Sequence, residues 1–260
     1  MTLLVKDEYP EKLFQEDGKR LDGRDKKQLR PISFDVGVIP NADGSAYLEW
    51  GNNKIFAAVY GPKEVHPRHI AKSDRGILRI FYRMATFSVF DRKRPAPGRR
   101  EKEISMVVSD CLEPVLFLEL YPQTCFEIYI EVIDADGGTR CASTTVAALA
   151  LADAGVPMKS LVTALAVGKI DGELVVDLSG IEDKAGEADL PVAVTWFNEE
   201  LSLLQFDGEI SMDELNTLLD YAEDALQKVY EKQKEALKSK YIDIQLETKK
   251  ELEETQGGEE

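Results

Sequence analysis

Two hydrophobic periods alternate along this chain, and that alternation restricts it to folds in which helices pack on sheets. Period two governs residues 32–38 (ISFDVGV), 45–50 (SAYLEW), 54–60 (KIFAAVY), 77–89 (ILRIFYRMATFSV) and 124–134 (TCFEIYIEVID), which predict strands. NADG at 41–44 predicts a hairpin turn between the first two. Residues 101–118 change to helical spacing, with Ile104, Val107, Val108, Cys111, Leu112, Val115 and Leu116 on one face. Pro114 inside that run predicts a kink or a split, because it lacks an N–H and clashes with the preceding turn. An alanine-rich stretch over 139–154 predicts a buried helix stopped by Gly155. Four further strands are expected at 161–170, 172–178, 191–198 and 201–210. Ser211 then opens a last helix, with Glu214 at the capping-box position and Leu215, Leu218, Leu219, Ala222, Leu226 and Val229 on one stripe. The stripe fades beyond about residue 240, and ETKKELEETQGGEE predicts a solvated, partly disordered tail.

The expected class is α+β, with helices on mixed sheets. The expected organisation is an N-terminal extension over 1–27, a first lobe over 28–153, a second over 154–230, and a charged helix end with an acidic tail over 231–260. No window holds the roughly 18 uninterrupted apolar residues of a membrane span, and MTLLVKDEYPEKLF does not have the pattern of a secretory signal. Three cysteines without a C-x-x-C pair suit a reducing cytosol, so a cytoplasmic protein is expected.

The net charge of −16 argues against a nucleic-acid partner until its distribution is considered. Residues 19–102 carry nineteen Lys/Arg against nine Asp/Glu, a net of +10. Residues 199–260 carry seven Lys against eighteen Asp/Glu, a net of −11. A front half built to meet a polyanion and an acidic, solubilising rear account for both numbers.

Three clusters carry chemistry. In DADGGTRCAS, Gly137 and Gly138 precede Thr139 and Arg140 where a helix begins. Glycines admit a ligand close to the backbone, a helix start offers N–H donors, and arginine supplies a fork that suits phosphate. Taken alone, the same residues make a tight strand-to-helix turn. In APGRRE, Arg99 and Arg100 begin the first helix; alone, they are a solvated charge pair. In DLSGIEDKAGEADLP, Asp177, Glu182, Asp183, Glu187 and Asp189 crowd a short loop between strands, with Gly186 allowing Asp183 and Asp189 to turn toward one another. Crowded carboxylates need a divalent cation or a raised pKa on one of them. His66 and His69 flank a proline with no third ligand nearby, and read as loop residues.

The segments RLDGRDKKQLRPI, ADGSAYLEWGNNKIFAAVYGP, APGRREKEIS, DADGGTRCAS and EDKAGEADLPVAV occur in the order found in the RNase PH family of phosphorolytic 3′–5′ exoribonucleases, which the chain resembles over about residues 20–230. Within the family it looks most like the catalytic subunit of archaeal exosome rings. The resemblance implies an RNase PH fold, related in its βαβα arrangement to a ribosomal-protein S5 domain. It places the phosphate site on Arg100, Gly138, Thr139 and Arg140, RNA contacts on Arg99 and Arg68, and the acidic pair on Asp183 and Asp189. It implies inorganic phosphate as co-substrate, Mg²⁺ or Mn²⁺ held by Asp183 and Asp189, and nucleoside diphosphates as products of a reversible reaction. The expected partners are RNA 3′ ends, a paralogous inactive subunit completing a hetero-hexameric ring, and RNA-binding cap proteins. The family often has serine where Thr139 stands, and Leu190 and Pro191 replace a lysine that follows the acidic pair in some bacterial relatives. A homomeric tRNA-trimming enzyme and a non-catalytic RNA-binding ring subunit are the alternatives. The acidic C-terminal extension and the missing lysine speak against the first, and the retained Arg100, Arg140, Asp183 and Asp189 against the second.

Overall fold

A computed structural model describes residue 10 and residues 12–257; residues 1–9, 11 and 258–260 lie outside the described residues. Two five-stranded sheets sandwich a buried helix. The first sheet contains β1 (Ile32–Val36), β2 (Gly44–Trp50), β3 (Asn53–Glu64), β4 (Ile77–Met84) and β5 (Thr124–Asp134), in the order β1-β2-β3-β5-β4. Its neighbours are antiparallel except for β4 and β5, which run parallel. The second sheet contains β6 (Val162–Ile170), β7 (Glu173–Val176), β8 (Ala188–Thr195), β9 (Glu200–Leu204) and β10 (Asp207–Gly208). Its order is β10-β8-β6-β7, with β9 also on β8.

Between the sheets runs α2 (Thr139–Asp153), in which nearly every side chain is buried. That explains its composition. A helix enclosed on all sides needs no polar stripe, and alanines let both sheets approach it closely. At its C-terminal end, a Cβ on Gly44 of β2 would lie 2.2 Å from the Ala154 nitrogen, so only glycine fits there. The apolar faces of both sheets merge into one core around this helix.

The expected first helix is α1 (Arg99–Leu112), followed by a 3-10 turn over Glu113–Val115 that contains Pro114. The proline therefore splits the run, as its missing N–H dictates. The last helix, α4 (Met212–Gly257), packs on β6, β7 and β1. It opens with the expected reciprocal cap: Ser211 N donates to Glu214 Oε2 at 2.7 Å, and Glu214 N donates to Ser211 Oγ at 3.3 Å. The helix continues through Gly257, which corrects the expectation of a partly disordered tail over most of that stretch. The segment is rich in Glu, Lys and Leu, all good helix formers, so propensity sustains the helix after the apolar stripe ends. Residues 201–210 also differ from expectation, forming β9 and β10 rather than one strand.

The chain before β1 packs on the second sheet. Leu13 N donates to Asp171 Oδ2 at 2.6 Å. Arg20 is 0% exposed; its Nε donates to Glu182 Oε1 at 2.7 Å, and its other nitrogens reach the carbonyls of Val176 and Asp177. Asp177, also buried, accepts from Arg30 and from Trp50 Nε1. Burial would raise its pKa, but the Arg30 guanidinium and hydrogen bonds hold it below the ordinary value. Among the described residues, no helix is long and apolar enough to cross a membrane.

Candidate active site

The site is built where β5 turns into α2. Gly137 and Gly138 both have left-handed backbone, φ 70° and 66°. A Cβ on Gly137 would lie 2.7 Å from the Gly180 nitrogen, so this position needs glycine on two counts. Gly138 is the N-cap of α2, leaving the first helical N–H groups directed outward. The turn is pinned from both sides. Asn53, at the start of β3, accepts from Asp136 N at 2.6 Å and donates to the Gly137 carbonyl at 2.7 Å. Asp136 Oδ1 accepts from Gly180 N at 2.9 Å, which ties the turn to the short helix α3 (Gly180–Ala185).

Thr139 Oγ1 accepts a hydrogen bond from Tyr82 Oη at 3.1 Å. Burial raises the pKa of that phenol, so it stays a donor. Arg140 Nη2 reaches both carboxylate oxygens of Glu103 on α1, at 3.0 and 2.9 Å, while its Nε is buried with no partner among the described residues. Arg100, exposed on the first turn of α1, lines a cleft of about 410 Å³ together with Gly137, Thr139 and Asp183.

The acidic segment is not the loop the sequence suggested. Asp183 lies on α3 and Asp189 on β8, and the two meet because α3 folds back over the start of that strand. A Ser179–Glu182 cap makes a helix of residues that look like a loop, with Ser179 N donating to Glu182 Oε2 at 2.7 Å. Asp177 and Glu182 leave the cluster altogether, since arginines neutralise both in the interior. Asp189 is half-buried as a residue, yet its Oδ1 is sealed from solvent with no hydrogen-bond donor among the described residues. Burial first, then the neighbouring Asp183 carboxylate, push its pKa up to about 7, against the pull of Arg140. Asp207 on β10 sits directly opposite Asp189 in the antiparallel register and adds to the repulsion.

Arg100, Thr139, Arg140, Asp183 and Asp189 therefore gather around the glycine turn. Arg99 is exposed beside Arg100 at the start of α1. Arg68 is elsewhere. It sits in a 3-10 turn after β3, paired with Glu64, whose strand partner Thr124 begins β5. The glycine turn follows the other end of that eleven-residue strand, roughly 30 Å away at about 3.3 Å per residue. The sequence did not reveal Tyr82, Glu103, Asn53 or Asp207 as site residues. Glu103 carried a faint signal, three residues after Arg100 on a predicted helix; the others arrive only through strand register.

The donors suit a hard cation in one way. Asp183 and Asp189 offer adjacent carboxylate oxygens, one of them without a protein partner. Among the described residues no group of three or more His, Cys, Asp or Glu is placed to hold a metal. Two carboxylates, completed by water and substrate phosphate, is a usual arrangement for Mg²⁺.

Comparison with known proteins places this geometry. Two models of the 3′ exoribonuclease family match, domain 1 over residues 28–157 and domain 2 over 160–225. Among curated relatives, the exosome complex component Rrp41 of Thermococcus kodakarensis is 55% identical over 233 residues, covering 90% of this chain and 94% of that one. The component of that name from Methanopyrus kandleri is 50% identical over 235 residues, covering 90% and 98%. Rice Rrp46 shares the fold at a TM-score of 0.76 and 23% identity, covering 84% of this chain and all of that one. So does a chain of the Archaeoglobus fulgidus exosome with RNA bound to the active site, at 0.73 and 21%, covering 83% and 93%.

Proposed function

The chain belongs to the RNase PH family of 3′ exoribonucleases, and on that premise we propose that it is the phosphorolytic subunit of an exosome ring. It removes nucleotides from RNA 3′ ends with inorganic phosphate and releases nucleoside diphosphates. The observation that carries this reading is the meeting of Asp189, its pKa raised to about 7, with Arg140 at the N-terminus of α2.

Inorganic phosphate binds over Gly138 and Thr139, held by the N–H groups of the helix start and by Arg140 and Arg100. Two anions must meet for reaction, and the arginines, fixed before substrate arrives, offset that repulsion. The contact of Arg140 Nη2 with both oxygens of Glu103 orients Arg140, and Tyr82 orients the Thr139 hydroxyl. Asp189 stands where the leaving 3′ oxygen needs a proton, and a pKa near neutrality suits both giving and recovering it. Asp183 and, in its ionised form, Asp189 would hold a divalent cation, Mg²⁺ or Mn²⁺, which would supply charge stabilisation at the phosphoryl oxygens. One phosphate linkage replaces another of similar energy, so the reaction also runs as 3′ polymerisation.

Arg99 tracks the RNA backbone beside the site, and Arg68 meets RNA farther from its 3′ end. A paralogous inactive subunit completes a hetero-hexameric ring, with RNA-binding caps upon it. The three free, buried cysteines fit a reducing cytoplasm. The test is decay of 3′-terminally recessed and single-stranded RNA with and without inorganic phosphate, by the chain alone and with its ring partner. Decay that depends on phosphate supports the reading; equal decay without it refutes it.

A further inference from the structure

Phe90 stands at the tip of the connection between β4 and α1 with its side chain fully in solvent, 104% exposed. The connection around it is fixed. Ala85 N donates to the Val132 carbonyl at 2.9 Å, Ala135 N to the Ser88 carbonyl at 3.0 Å, and Lys93 N to the Thr86 carbonyl at 3.0 Å. Lys93 Nζ lies 3.3 Å from Glu101 of α1. An aromatic ring held out by a pinned backbone gains nothing for folding, because its apolar surface stays in water.

We propose that Phe90 stacks on a base of the RNA 3′ end, a role that rests on the exoribonuclease reading above. Phe90 lines the same cleft as Arg100, Thr139 and Asp183. From α3, Ile181 lines it too, 47% exposed and two residues from Asp183. Met84 and Val89 complete an apolar stretch of wall. Around the same connection Arg92, Arg94 and Arg99 are exposed. Aromatic faces for bases beside cations for the backbone are how single-stranded nucleic acid is held without regard to sequence. Arg100 and Thr139, at the site assigned above to inorganic phosphate, set the reacting end of the cleft that Phe90 also lines. Phe90 and Ile181 supply two apolar surfaces for a flat base. The enzyme thus grips each new 3′ end equally well as the chain shortens.

The experiment uses the full-length chain assembled in its ring, the variants Phe90→Ala, Phe90→Leu and Phe90→Trp, and short single-stranded oligoribonucleotides. Wild type is measured first, and its failure to bind or degrade RNA would refute the underlying reading rather than this role alone. Phe90→Ala should weaken binding of a short RNA roughly tenfold or more, the scale of one base–aromatic stack. Phe90→Trp should restore it and Phe90→Leu should not, since size without an aromatic face is insufficient. A series of RNAs, each with one abasic nucleotide among the last three, supplies a double-mutant cycle. At one position the missing base should weaken wild type but not Phe90→Ala any further. Normal affinity in Phe90→Ala, or additive losses at all three positions, overturns the proposal. So does loss of ring assembly in Phe90→Ala with RNA affinity per ring unchanged, which would make Phe90 a contact to a neighbouring subunit.

Discussion

Arg140 donates from one guanidinium nitrogen to both oxygens of the Glu103 carboxylate, at 3.0 and 2.9 Å, across the space between α2 and α1. The contact holds the arginine in place but sets a negative charge beside the proposed phosphate site. Arg140→Ala should lower kcat/KM about 10²–10³-fold, the scale for removing one preorganised donor. Glu103→Gln keeps one accepting oxygen and removes the charge, so the KM for inorganic phosphate should fall while the KM for RNA changes little. Steady-state kinetics with phosphate and RNA varied separately checks both. A rise in phosphate KM for Glu103→Gln would show that the carboxylate serves only to aim Arg140.

Arg20 and Glu182 form a buried ion pair next to Asp183 in sequence, with Arg20 also bound to the carbonyls of Val176 and Asp177. Arg20→Ala leaves the buried Glu182 carboxylate with only the longer Arg24 contact, at 3.7 Å, as an ion pair. The expected cost is about 3–5 kcal/mol, read as a lower midpoint in denaturant melts. Replacing Lys19, an exposed neighbour, should change little. A normal midpoint for Arg20→Ala would mean that the chain before β1 does not anchor α3.

The ionisation of Asp189 bears on both stability and chemistry. Its folded pKa of about 7 lies above the ordinary 3.8, because burial and Asp183 disfavour the charged form. Between those values the folded chain holds a proton that the unfolded chain has released. The stability this gives is fully present below about pH 4 and is lost as pH rises toward 7. Asp189→Asn cannot ionise, so its Tm should rise relative to wild type as pH goes from about 4 to about 7. A constant difference over that range would mean that Asp189 is charged throughout. The same variant should bind RNA normally while phosphorolysis and the reverse polymerisation fall by one common factor, since both pass through one transition state.

Arg68 lies at the far end of the first sheet from the glycine turn, paired with Glu64. Arg68→Ala should weaken binding of long RNA and lower its salt dependence by about one phosphate contact. Turnover of an oligonucleotide too short to span roughly 30 Å should be unchanged. Filter binding at several salt concentrations, with both lengths, measures this. Equal losses on both lengths would place Arg68 at the reacting end.

Local signals in the sequence suffice where the physical cause is local. Pro114 splits its helix because of its own missing N–H, and Ser211 with Glu214 caps α4 across three residues. Gly137 and Gly138 could be recognised as a turn, and their left-handed backbone explains why. The acidic segment misled because its charges have different fates. Asp177 and Glu182 are neutralised by Arg30 and Arg20, about 150 residues away in the chain, and no local pattern tells them from Asp183 and Asp189. Glu103, Tyr82 and Asp207 reach the site through helix packing and strand pairing, so only the folded chain shows them. The tail differs for another reason, since a helix can outlast its apolar stripe when the residues are good helix formers.

The nucleophile decides the account. The most direct measurement is to supply isotopically labelled inorganic phosphate to the assembled protein with unlabelled single-stranded RNA and to resolve the nucleotides released. Attack by phosphate held at Thr139 and Arg140 predicts nucleoside diphosphates carrying the label in the β-phosphate, with none released when phosphate is withheld. Unlabelled nucleoside monophosphates, formed at the same rate with or without phosphate, would show that water attacks and would contradict the assignment of the glycine turn as a phosphate site.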